Sequence, residues 1–424
     1  MGLPADVIAE LALTVAGAAT RSATPVSRGR RATLTMLLTA DLVNGPYQPL
    51  SPEDQMPIVT GSHESTSARC RPERPTQSLH GRRMWLVGIL AALCTALLPG
   101  VAPHAAVAEP THPTQVSRLY VTNFDADTVT VLNAGTHAVI STVPVGETPI
   151  EVAVDPGRAR AYVANRDAHT VTVINTDTNT VLTTIPVGGP PQDVAVDPGR
   201  GRAYVTNAAD DNVLVINTDT NTVVTTVPVG DVPFGLEVDP GRARAYVANS
   251  EGDSVSVINT DTNTVVTTVP VGDRPFDVAV DPGRARAYAI NENGDSVSVI
   301  NTDTNTVVAT VPVGDTPTGV AVDPARAHAY VVNSEDDTVT VINTQTNTVV
   351  DTLTVGDEPA RVAVDSSSAR AYVTNYASDT VSVINTATDQ VVDTFAAGDG
   401  PVGAAILNAA QGGGHCTKPR KSTC

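Results

Sequence analysis

The chain reads as an all-β protein, a single seven-bladed β-propeller of four-stranded antiparallel blades. Three observations lead there. Seven tyrosines, Tyr120, Tyr162, Tyr204, Tyr246, Tyr288, Tyr330 and Tyr372, recur every 42 residues without insertion or deletion. That interval lies in the range of roughly 40 to 45 residues that marks propeller blades. Each period also holds four short apolar runs separated by turn residues, enough for one four-stranded meander.

The third full copy shows the elements in order. Pro233–Val238 is a first strand, followed by the turn Asp239-Pro-Gly-Arg242, whose central Pro and Gly suit a type II turn. Ala245–Asn249 is a second strand and Ser254–Asn259, alternating polar and apolar, a third. The loop Thr260–Asn263 then leads into a fourth, Thr264–Val271.

Strand order also predicts how the ring closes. The first copy begins with its Tyr strand at Arg118 and lacks the Pro-x-x-Val-Ala-Val strand that precedes it elsewhere, whereas the chain carries an unmatched strand of that type at Pro401–Leu407. The C-terminal strand therefore completes the first blade, one chain makes one ring, and a monomer suffices. The ring is expected over 118–411. Small Ala in the inner strand and Val elsewhere fit a tapered sheet covered on both faces. Pro144, Pro186, Pro228, Pro270 and Pro312 fall on the outer strands, where proline is tolerated and blocks pairing with another chain.

Tyr120-Val-Thr-Asn123, Tyr204-Val-Thr-Asn207 and Tyr372-Val-Thr-Asn375 resemble the motif of the YVTN family of β-propeller repeats, as do the Val-Ile-Asn-Thr strand and the Val-Gly-Asp-x-Pro loop. The resemblance covers Arg118 to about Leu407. It implies an exported or cell-surface propeller and fixes no activity, because related propellers range from surface-layer components to haem- or quinone-associated domains, lactonases and lyases.

Before the ring, Arg82-Arg83 precedes the apolar run Met84–Leu98, and Ala106-Val-Ala108 follows it. A basic flank, a short apolar core and a small-x-small exit read as a signal peptide over 81–108, with the mature chain starting near Glu109. Arg82-Arg83-Met84-Trp85-Leu86 also resembles a twin-arginine motif. Residues 1–80 mix Arg, Ser, Thr and Pro without a period and read as disordered or as a start assigned too far upstream. Residues 109–117 read as a linker. The ring holds no cysteine; Cys416 and Cys424, in the tail 412–424, could close a small disulfide loop or remain unpaired.

Residues 109–424 carry 17 basic and 38 acidic side chains. Such a surface repels phosphate backbones, so nucleic acid is not the expected ligand. Nineteen acids gather on the face that holds the Gly-x-x-Pro loops and the loops joining second to third strands, while the turn arginines, Arg242 and Arg284 among them, gather opposite. Asp231, Asp273, Asp315, Asp357 and Asp399 are hard oxygen donors suited to Ca²⁺, or to a cationic partner, cationic polymer or cell-surface ligand. The same residue types also serve tight loops and solubility.

A specific site is expected where the copies differ. Phe234 and Phe276 follow the loop proline in adjacent copies, near Arg274 and Asp277, and form a candidate aromatic patch. Arg361 and Tyr376 form a second. His137, His169 and His328 occur at three different points of the repeat and make no ligand set, so no catalytic residue and no cofactor is assigned. The reading is a binding or surface-interaction scaffold. Its alternative is a metal-dependent lactonase-like hydrolase or lyase that uses loop carboxylates at the channel mouth.

Overall fold

The computed structural model describes residues 116–409. Twenty-eight strands, β1 to β28, form seven four-stranded antiparallel sheets. Six blades run consecutively outward, from inner strands β4 (Pro149–Asp155), β8 (Pro191–Asp197), β12 (Pro233–Asp239), β16 (Pro275–Asp281), β20 (Pro317–Asp323) and β24 (Pro359–Asp365). Blade 1 has the order β28-β1-β2-β3, with β1 at Arg118–Asn123, β2 at Thr128–Asn133, β3 at Val139–Pro144 and β28 at Pro401–Leu407. Its C-terminal strand is the inner one, as the unmatched copy requires, with Arg118 opposite Leu407 and Tyr120 opposite Ala405. The expected signal segment, the N-terminal extension and the tail with Cys416 and Cys424 lie outside the described residues.

The core lies between blades. Tyr162, Val171 and Val173 of blade 2 pack with Val194, Val205, Leu214 and Ile216 of blade 3, and equivalent clusters recur around the ring. All seven repeat tyrosines are fully buried. Several carry their hydroxyl to the next blade: Tyr204 donates to the Thr260 carbonyl at 3.3 Å and Tyr372 to that of Ala134 at 2.7 Å. A buried phenol usually finds such a partner, and the constant interval sets Tyr162, Tyr204, Tyr288 and Tyr372 against the equivalent carbonyl of the next blade, while Tyr330 bonds Asp389 Oδ1 instead.

The motif asparagine has an equally local cause. Asn249 Nδ2 donates to the hydroxyls of Ser254 and Ser256 at 3.1 and 3.0 Å, and its Oδ1 accepts from Gly230 N at 3.2 Å. A Cβ on Gly230 would lie 2.7 Å from Asn249 Cγ. The Asn of the second strand and the Gly of the loop therefore require each other.

The inner turns differ from expectation. In blade 2 the turn is a single 3₁₀ turn, Pro156–Arg158, and the left-handed residue is Ala159 at φ 52°, not Gly157. Asp155 Oδ1 accepts from Arg158 N at 3.2 Å, which winds the turn tighter than type II geometry. The outer strands carry a bulge: Val215 faces Thr225 and Ile216 faces Val223, leaving Val224 unmatched and 47% exposed. With the outer prolines, this twist discourages pairing in the edge.

Candidate axial binding site

The seven inner strands surround a cavity of ≈ 410 Å³. Its wall is set by strand register. The third residue of each inner strand is, around the ring, Glu151, Asp193, Gly235, Asp277, Gly319, Arg361 and Gly403. Two residues further along, six strands place Ala and β12 places Glu237. Glu151, Asp193, Glu237, Asp277 and Arg361 thus line one cavity whose other walls are Val, Ala and Leu.

The glycines make this crowding possible. A Cβ on Gly235 would come within 2.5 Å of Asp277 Oδ1, and one on Gly319 within 2.9 Å of the Ala360 carbonyl. Carboxylates use the opening to bond across blades. Asp193 accepts Val194 N at 2.6 Å and Leu236 N of the next blade at 2.7 Å; Asp277 accepts Val278 N at 2.7 Å and Val320 N at 3.1 Å. Arg361 donates Nε to Glu151 Oε2 at 3.3 Å, bonds the Thr318 carbonyl, and lies 5.1 Å above the ring of Phe276.

Four carboxyls face one guanidinium in this space. Burial pushes Glu151 up to about 7, although Arg361 opposes the shift. It raises Asp193 well above the carboxylate range, reinforced by the charge of Glu151, and raises Asp277 against the pull of Arg361. Burial works to lower Arg361, but Asp277, Glu151 and Asp193 outweigh it and hold the guanidinium charged. Glu237 is exposed by surface area, yet the surface it exposes is the wall of the axial cavity, where a charge is less well solvated than on the outer surface. Its carboxyl is accordingly pushed up to about 7 by desolvation.

The candidate residues read from the sequence divide among several places. Phe234 and Phe276 do touch, with centroids 4.7 Å apart and planes at 32°. Asp277 and Arg361 enter the cavity. Arg274 instead pairs with Glu292 at 3.1 Å, and Tyr376 packs edge-on against Phe124 at 5.8 Å, so Arg361 and Tyr376 serve different neighbours. Asp231, Asp273, Asp315, Asp357 and Asp399 are exposed loop residues, one per blade. Among the described residues no group of three or more His, Cys, Asp or Glu side chains is placed to hold a metal ion.

The charged faces prove partly structural. Six acids of the loop face, Asp127, Asp211, Asp253, Asp295, Asp337 and Asp379, each accept a backbone N–H from the next blade at 2.8 to 3.0 Å. On the opposite face the turn arginines are clamps: Arg158 bonds buried Asp155 at 3.1 Å and, in the next blade, Asp219 at 2.6 Å and the Pro198 carbonyl at 3.0 Å. Arg200 and Arg242 do the same, while Arg284 and Arg326 keep the buried Asp and the next blade's carbonyl.

Glu151, Asp193 and Glu237 were not singled out from the sequence. The signal was present one residue beyond Phe234 and Phe276, where Glu, Asp, Gly, Asp, Gly, Arg and Gly succeed one another through otherwise near-identical copies.

Solved structures share this architecture. Hydrazine synthase of Kuenenia stuttgartiensis aligns with a TM-score of 0.56 at 21% identity over 62% of this chain and 94% of that one. A functionally unknown protein from Desulfotomaculum acetoxidans aligns at 0.61 and 17% over 69% and 99%, and apo AztD from Citrobacter koseri at 0.53 and 14% over 69% and 97%. At these identities the likeness is one of fold. No family model matches the chain, and neither does any curated protein.

Proposed function

We propose that the protein is an exported propeller of the YVTN type that works as a binding scaffold, and that its ligand is a polar, positively charged group received in the axial cavity. The supporting observation is the break in sevenfold symmetry there. A scaffold alone would repeat Ala or Gly around the axis, whereas this ring holds four carboxyls and a single arginine between small apolar walls. Cavities of roughly 300 to 1,000 Å³ with a few convergent polar groups are the usual form of a ligand site. Asp193 and Glu237, neither of which forms a salt bridge among the described residues, are the residues that would meet the ligand.

Calorimetric titration of residues 109–424 with a panel of small amines and guanidines tests this reading. Binding that weakens at least tenfold in Asp193→Asn with Glu237→Gln, and fades with added salt, supports it. Affinity indifferent to both changes overturns it. Stoichiometric metal accompanied by lactone hydrolysis would replace it with the hydrolase alternative.

A further inference from the structure

Five turn arginines, each paired with the buried Asp of its own turn, bond a carbonyl of the next blade and so clamp blades 2 to 3, 3 to 4, 4 to 5, 5 to 6 and 6 to 7. Among the described residues the two junctions that flank blade 1 have none. In blade 7 the clamp arginine is replaced by Ser368, and Asp365 accepts the hydroxyls of Ser367 and Ser368 instead. In blade 1 the inner strand ends on Leu407 where other blades carry the buried Asp. Blade 1 is also the blade assembled from both ends of the ring, so its inner strand β28 is held to β1 without a covalent turn.

Several residues that depart from the repeat meet at those same two junctions. At the axis, Arg361 of blade 7 reaches Glu151 of blade 2 at 3.3 Å, passing over blade 1, whose residue there is Gly403. A Cβ on Gly403 would lie 3.0 Å from Glu151 Oε1 and 2.8 Å from its Cα. At the mouth, Tyr376 of blade 7 meets Phe124 of blade 1 edge-on, and the Arg166 guanidinium of blade 2 lies 5.0 Å over the same ring. At the periphery, His137 of blade 1 stacks on Phe395 of blade 7 at 4.4 Å and bonds Asp393 at 2.9 Å. The junction between blades 1 and 2 keeps one further link, Arg118 to the Thr176 carbonyl, which blade 2 repeats with Arg160 and the Thr218 carbonyl.

We propose that these contacts at axis, mouth and periphery form a latch that holds the closing strand in the ring and substitutes for the two missing clamps. The part of the asymmetry that lies around blade 1 then serves closure. The Arg361–Glu151 pair is its central member because it alone joins the two blades on either side of β28. The latch acts on local opening: its loss frees β28 and β1 and leaves the far side of the ring intact.

Hydrogen exchange resolved by segment tests the latch on the ligand-free protein. In Arg361→Met and in Phe124→Ala, amides of 402–407 and 118–123 should exchange roughly tenfold faster than in the parent, while those of β12 keep their rates. Phe234→Ala, which removes an equally large ring away from the seam, should leave 402–407 unchanged. If Arg361→Met does not fold, Phe124→Ala and Glu151→Gln carry the test. Equal acceleration in every blade, or an unchanged 402–407 in all three latch variants, overturns the proposal.

Discussion

The carboxylate of Asp211 accepts the backbone N–H of Val232 at 2.8 Å across the boundary between blades 3 and 4. Both residues are left-handed, at φ 49° and 53°. The relation recurs at six of the seven boundaries, and the exception is informative: position 190 is Pro, which has no N–H to give, and position 169, where the Asp would stand, is His. The acid is present where there is an amide to receive. Asp211→Ala should therefore destabilise by about 1 to 2 kcal/mol through loss of a cap-like bond. Asp273→Asn, an exposed acid of the same face, should stay within about 0.5 kcal/mol. Urea unfolding of the pair checks the contrast, and equal losses would refute it.

Glycine at the loop–strand contact is the second prediction. A Cβ on Gly272 would lie 2.6 Å from Asn291 Cγ and Nδ2, both fixed by hydrogen bonds to Ser296 and Ser298. Gly272→Ala should cost about 1 to 3 kcal/mol as overpacking. A thermal midpoint equal to the parent's would show that the loop yields without loss.

The third concerns pH. Glu151 and Glu237 rise to about 7 from an ordinary value of 4.5, so the folded state binds protons more tightly than the unfolded one. Their contribution to stability is complete below about pH 4.5 and is lost as pH rises through 7. The urea midpoint should fall between pH 5 and 8, and Glu237→Ala should flatten that fall. A midpoint rising over this interval would contradict the raised proton affinity of these carboxyls in the folded state.

Removing residues 400–424 is the fourth. The truncation takes β28 from β1 and opens the ring at the axis, exposing Leu119 and Val121 on a bare sheet edge. A protein that melts broadly, or that elutes as aggregate, is the expected product. Elution and melting like the intact chain would show closure to be dispensable.

Export gives the fifth. Trp85 is the only tryptophan and lies in the expected signal segment. Secreted protein should then begin near Glu109 by intact mass and show no tryptophan emission. Retention of Trp85 in secreted material would remove the signal assignment.

The blades were legible because a closed ring repeats one environment seven times. Each strand of the third copy begins or ends within a residue or two of its sequence reading, and the unmatched strand at Pro401–Leu407 implies the closure seen in blade 1. Arg242 was placed on its face correctly but not its partner: the clamp joins Asp239, Asp303 and the Pro282 carbonyl, residues that only the stacking of blades brings together. Glu151 and Asp193 were missed for a related reason. Side chains of neighbouring residues in a strand face opposite ways, so attention to Phe234 and Phe276 looked one pleat away from the residues that define the cavity. Arg361 and Tyr376 are close in sequence, yet one points to the axis and the other to a neighbouring rim, a difference of direction that spacing alone does not carry.

The pairing of Arg118 with Leu407 has a further consequence. The first and last strands of the ring start and stop on the side of the Arg158, Arg200 and Arg242 turns, opposite the mouth with Phe124, Phe234 and Phe276. Whatever is joined to either end of the ring, whether a tether, a tag or another domain, departs from the back. Such a molecule has a built-in stem: immobilised through either end, it points its cavity toward the solution, and strings of such rings would display every mouth free of its own linker.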